Sequence, residues 1–226
     1  MRRFWKEATA EGNMVLLDGK PVRTPKRHAL ELPTPALAEA IAAEWNGVGD
    51  ELDPRALPLT GLANAAIDIV APDRPAFAES LAKYGESDLL AYRAESPAEL
   101  VARQAKEWDP LLEWVRARYD VHVDLVTGIM HRPQPEATIA RLRDATTALD
   151  AFRLAALSPL VTIGGSLIAG LAIVERAFDP ERVWEAVNLD ELWHEEQWGT
   201  DELSAQARAT RRAEWSAAVR FLTLLG

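Results

Sequence analysis

The stretch Met14-Val15-Leu16-Leu17-Asp18-Gly19-Lys20-Pro21-Val22-Arg23-Thr24 sets the character of the first third of the chain. A short apolar run meets Asp18-Gly19, a pair that tolerates positive φ at both positions and so favours a tight hairpin turn. Lys20 to Thr24 then reads as the return strand. Ala29 to Leu32 reads as a third strand after the turn at Pro25-Lys26-Arg27. Thr34-Pro35 opens a helix, with Thr as the cap and Pro in the first turn, where its missing N–H is not needed. Leu37, Ile41 and Trp45 follow at a spacing of four, and Gly47 closes the helix. Gly49 to Pro58 has the composition of a loop.

From about Pro72 helical periodicity takes over. Phe77, Leu81, Tyr84 and Leu89 predict a helix over 75–92, and a second is expected over 97–119 with a break at Asp109-Pro110. Val121 to Leu125 alternates as a short extended segment would. Further helices are expected over 136–157, 159–177, 180–187, 190–198 and 203–224, the last carrying Trp215, Val219, Leu222 and Leu225 as one stripe. The fold class is therefore α+β, with a β-rich N-terminal domain at 1–71 and a larger helical C-terminal domain at 72–226.

The bulk numbers narrow the function. Apolar residues make up 48% and charged residues 27%, which gives a folded domain rather than a disordered chain. A formal net charge of -10 argues against nucleic acid, whose phosphates need clustered cations. Arg23, Lys26 and Arg27 are the densest basic group, and the edge of a solvated hairpin accounts for them. Without cysteine there is no disulfide, zinc-thiolate site or thiol nucleophile. The opening Met1-Arg2-Arg3-Phe4-Trp5-Lys6-Glu7 is too polar for a signal peptide, so the cytoplasm is the expected compartment. Ala155 to Val174 has the length of a membrane span and no charge, yet Pro159, Gly164, Gly165 and Gly170 interrupt it. A helix buried inside the protein is the expectation, with no integral membrane segment.

Enzyme signatures are missing: there is no GxSxG, no GxxxxGK[ST] and no HExxH. Glu191-Leu192-Trp193-His194 is an ExxH, which on a helix presents a carboxylate and an imidazole on one side. Di-metal bundles use two such units, and His28, His122 and His131 lack a Glu three residues before them. A carboxylate/His metalloenzyme or hydrolase using Glu191, His194 and Glu195 stands as the competing reading. Around this motif Asp190, Glu191, Glu195 and Glu196 crowd Trp193 and Trp198, and Asp201 and Glu202 follow. Either the indoles pack inward beneath a solvated acidic face, or the cluster is an interface. Asp88 and Tyr92, one helical turn apart, are expected to meet, as a buried structural hydrogen bond rather than a catalytic acid.

Taken in order, several segments resemble the F1-ATPase assembly chaperones that hold the free α subunit. They are Phe4-Trp5; Leu17 to Pro25; Leu37 to Trp45; Pro58-Leu59-Thr60; Asp88 to Arg93; Trp108 to Leu112; and the acidic signature Asp190 to Gly199. The chain departs where that family carries Gln, at His194 and in the Gly47-Val48-Gly49 stretch. The resemblance implies a β-rich N-terminal and a helical C-terminal domain, no catalytic activity and no cofactor. It also implies that the protein shields the β-facing surface of the α subunit until the catalytic sector assembles; a monomer is the expected state. Asp190, Glu191 and Glu195 carry over as partner-binding residues, with Trp193, Trp198 and Glu202 beside them; Trp45 reads as structural. Exposed acids of this kind are expected to tolerate charge reversal with little loss of stability.

Overall fold

The computed structural model describes residues 2–128 and 130–226; Met1, at the head of the polar opening, lies outside them. The chain groups into two compact units. One takes the chain through Arg74 together with Asp150–Ala156 and Glu214–Gly226; the other takes Pro75–Leu149 and Leu157–Ala213.

In the first unit a three-stranded antiparallel sheet runs β1 (Ala8–Glu11), β2 (Met14–Leu17), β3 (Lys20–Pro21), in that spatial order. Asp18 and Gly19 take φ of 47° and 76°, so the hairpin turn forms where the Asp-Gly pair stands. Asp18 also accepts from the backbone N–H groups of Glu7 and Lys6, which hold its carboxyl below the ordinary value. The first strand, Ala8–Glu11, was not legible from apolar alternation. It is held by register with β2 and by Asn46, whose side-chain amide closes on the N–H and C=O of Ala8 at 2.8 and 2.7 Å. Residues 29–32 make only isolated bridges, Arg23 to Ala29 and Met14 to Glu31, and do not extend into the expected strand.

Helix α1 (Pro35–Asn46) starts at Thr34, whose hydroxyl accepts from the N–H of Leu37, and ends at Gly47. Its buried face is Leu37, Ala38, Ile41 and Ala42. Glu44 reaches the start of α2 (Pro58–Ala65), accepting from the N–H groups of Leu59 and Thr60 at 2.8 and 2.9 Å. Trp5 and Trp45 meet edge to face at 4.8 Å, and the Trp45 indole donates to Thr60 Oγ1. A π-helical turn at Ala66–Val70 presents buried Asp68 to the Thr24–His28 turn. Asp68 accepts from Thr24 Oγ1 at 2.7 Å and from Lys26 N at 2.9 Å, and lies 2.8 Å from His28 Nδ1.

The second unit is helical. After α3 (Arg74–Ala82) the chain tightens into 3₁₀ turns and Asp88 turns extended, so the helix expected over 75–92 stops early. The cause is the Asp88 side chain, which accepts from the N–H groups of Leu90 and Ile168. It does not meet Tyr92, whose hydroxyl faces His131 Nδ1 at 3.1 Å. Tyr92–Arg93 instead forms β4, parallel to β5 (Val126–Thr127); the extended pairing therefore falls just after Val121–Leu125.

Helix α4 (Ala98–Tyr119) runs unbroken through Pro110. The lost backbone bond is offset by tertiary contacts of the two residues just before it: the Trp108 indole donates to Ala186 O at 2.7 Å, and Arg93 reaches Asp109 at 2.7 Å. The expected helix over 136–157 is two, α5 (Glu136–Thr147) and α6 (Ala151–Gly164), because Asp150 caps the second through the N–H groups of Phe152 and Arg153. Gly165, at φ 65°, and the capping Ser166 separate α6 from α7 (Leu167–Val174). All of Leu167–Ile173 is buried, as expected of the apolar run. Among the described residues no helix is long and apolar enough to cross a membrane. The chain closes with α8 (Pro180–Val187), α9 (Leu189–Trp198) and α10 (Glu202–Leu224).

Candidate functional site

Helix α9 carries the acidic signature, and its carboxylates divide by the neighbour they face. Residues four apart share a face of a helix, so Glu191 and Glu195 point together toward α10. There Arg208 Nη1 lies 2.5 Å from Glu195 and 3.2 Å from Glu191, and Arg211 Nη2 approaches both oxygens of Glu191 at 2.9 and 2.6 Å. The Glu195 and Arg208 side chains are only 14% and 19% exposed, so this latch is partly desolvated. On the side of α4, Asp190 accepts from Gln104 Nε2 at 2.8 Å, and buried Gln104 also accepts from the N–H of Ala94. Arg103 binds Glu196 at 2.6 Å and stands over the Trp193 ring; its hydrogen bond, ahead of the opposing effect of burial, holds the Glu196 carboxyl below the ordinary value.

Three carboxylates of α9 thus meet three guanidiniums and the fourth, Asp190, meets the Gln104 amide, so the cluster is far less anionic than its sequence suggests. What stays open lies at its end. Trp198 is 71% exposed and rests against the His194 ring at 4.4 Å; Leu203 is 80% exposed, beside exposed Glu202. Asp201 caps α10 through Ser204 N and Oγ, and these bonds hold its carboxyl low. Large apolar side chains in water beside acids make a surface suited to a polypeptide partner.

Of the residues singled out by sequence, Trp198 and Glu202 face solvent. Asp190 is exposed but tethered to Gln104, Trp193 is half-buried, and Glu191 and Glu195 are taken up by α10. Glu191 and His194 of the ExxH are occupied separately, by arginines and by Trp198. Among the described residues no group of three metal-ligating side chains comes together. Arg103, Gln104, Arg208 and Arg211 were missed. Arg208 and Arg211 had a signal, since they stand three apart and share a helix face, as Glu191 and Glu195 do at four apart. Gln104 and Arg103 had none, because the chain does not bring them near α9 until it folds.

Comparison with known proteins agrees with this architecture. A model of the ATP12 chaperone protein family matches residues 2–116. The mitochondrial protein atp12 of Schizosaccharomyces pombe is 28% identical over 215 residues, covering 88% of this chain and 74% of the yeast protein. The crystal structure of Atp12 from Paracoccus denitrificans superposes with a TM-score of 0.92 at 41% identity, over 100% of this chain and 98% of that one. An aspartate-to-lysine mutant of the same protein gives 0.94 at the same identity and coverage. The Atu1473 protein of Agrobacterium tumefaciens gives 0.94 at 38% identity, over 100% of this chain and 86% of its own. With an N-terminal antiparallel sheet, a helical remainder and matches that run the length of the chain, this protein belongs to the ATP12 chaperone family of F1-ATPase assembly factors.

Proposed function

We propose that this chain binds the free α subunit of the F1 ATP synthase and shields its β-facing surface until the catalytic sector assembles. It acts without catalysis, as a monomer in the bacterial cytoplasm. The observation that carries this reading is the open apolar–acidic end of α9 and start of α10: Trp198, Glu202 and Leu203 stand in solvent where the Arg208 latch ties the two helices together. An aromatic anchor with a polar surround gives an interface tight enough to protect a client, yet able to yield to a larger final partner. Asp190, met only by a neutral amide, and exposed Glu202 add negative charge that steers basic groups of the client toward it. Family membership supports the reading at the level of F1 assembly.

The test is light scattering from isolated α subunit, with and without the purified chain, alongside an assay for nucleotide hydrolysis. Suppressed scattering without turnover is the expected result. Equal aggregation in both samples would sink the reading.

A further inference from the structure

The first unit holds a concave surface whose free charges are cationic, unlike the acids of α9. A groove of about 330 Å³ is lined by Phe4, Trp5, Leu17, Lys20, Val22 and Arg23, with Asp18, Pro21 and Trp45 completing its wall. Trp5 and Leu17 are buried and form an apolar floor, while Phe4 stands 67% exposed, edge-on to Trp5 at 5.0 Å. A phenylalanine left in water over an aromatic floor is a surface waiting for cover.

The charges of this groove are unbalanced. Lys20 and Arg23 are exposed, and neither has a carboxylate partner among the described residues; Arg23 only donates to Arg27 O at 3.0 Å. The acid in the lining, Asp18, is spent on the backbone N–H groups of Lys6 and Glu7. Arg3, nearby, is likewise consumed by the carbonyls of Trp5, Lys6 and Val48. A chain with net charge -10 thus carries a locally cationic, aromatic groove. Pro21 has no N–H, so a partner cannot simply add a strand to β3 there. Recognition must run through side chains.

We infer that this groove takes an extended, acidic–apolar peptide segment of a protein partner. A carboxylate would sit between Lys20 and Arg23, and an adjacent apolar side chain would lie against the exposed face of Phe4. A polypeptide is the fitting occupant because the family's members are chaperones and because an apolar floor with a charged rim is the anatomy of a protein interface. The inference does not depend on the α subunit being that partner.

Fluorescence anisotropy of a labelled peptide of alternating glutamate and leucine tests it, with a lysine–leucine peptide as the control. The full chain should bind the acidic peptide in preference to the basic one, and added salt should weaken binding. Lys20→Glu combined with Arg23→Glu should weaken it by about tenfold or more, and Phe4→Ala several-fold, with thermal midpoints retained because all three side chains are exposed. Trp198→Ala should leave peptide binding unchanged. No preference for the acidic peptide, or equal binding by the folded charge-reversed variant, would overturn the inference. So would binding of anionic lipid vesicles in place of the peptide. Loss of peptide binding with protection of the α subunit intact would support the groove and leave the proposed function standing separately.

Discussion

Arg208 Nη1 lies 2.5 Å from Glu195 Oε1, with both side chains largely out of water. This contact ties α9 to α10 and makes part of the acidic signature a structural element. Removing one member of a partly buried pair leaves the other uncompensated.

The latch changes what charge reversal of Glu191 does. Read as an exposed acid, it should tolerate lysine; in the structure lysine there would join Arg208 and Arg211. Glu191→Lys is expected to lower stability by about 1–3 kcal/mol. Its thermal midpoint should fall, and an unchanged midpoint would show that the latch contributes nothing. A loss of client protection in this variant therefore has to be judged against its loss of fold.

Trp198 and Leu203 separate the two effects cleanly. Both are highly exposed, so Trp198→Ala and Leu203→Ser should shift stability by no more than about 0.5 kcal/mol. Protection of the α subunit in the scattering assay should drop sharply in the pair. Full protection by the folded double variant would remove this surface from the proposed interface.

Asp88 gives a pH dependence of definite sign. Burial pushes its carboxyl up to about 6, against hydrogen bonds from Ile168, Ser166, Leu90 and Leu167. The folded state therefore holds more protons than the unfolded chain between about pH 4 and 6. The stability tied to this proton is fully present below about pH 4 and is lost as pH rises through about 6. Asp88→Asn cannot titrate, and its amide would face the N–H of Ile168. The stability gap between wild type and Asp88→Asn should widen by up to about 3 kcal/mol from pH 7 to pH 4. Denaturant melts at several pH values measure it, and a gap that stays flat or narrows toward acid would contradict the assignment.

Gly170 lets α7 approach α6 closely. A Cβ there would stand 2.7 Å from Leu157 Cδ1 and 2.9 Å from Val161 Cγ2. Gly170→Ala gains helix propensity but forces α7 away from α6, and the net expectation is a loss of about 1–3 kcal/mol. Urea unfolding midpoints decide the sign; a stabilised variant would mean that the contact relaxes freely.

Sequence by itself determined the features whose energetics are local. Asp18-Gly19 makes its turn because both backbones accept positive φ, and Thr34-Pro35 and Gly47 bound α1 because capping involves only neighbouring groups. The apolar run Leu167–Ile173 is buried because nothing in it calls for water. The resemblance to assembly chaperones was likewise legible, since order and spacing of segments survive without coordinates. Tertiary structure decided whatever depends on a partner distant in the chain. Ala8–Glu11 became a strand because β2 and Asn46 were there to satisfy its backbone; Pro110 stayed inside α4 because Trp108 and Asp109 found partners across the unit. Segments 150–156 and 214–226 group with the N-terminal sheet, which linear periodicity does not encode. The acidic signature was visible as composition, but only the fold assigned Glu191 and Glu195 to α10 and left Trp198 and Leu203 to solvent. Charge in a sequence gives a sign, whereas whether it is spent internally depends on which guanidinium the fold brings within hydrogen-bond distance.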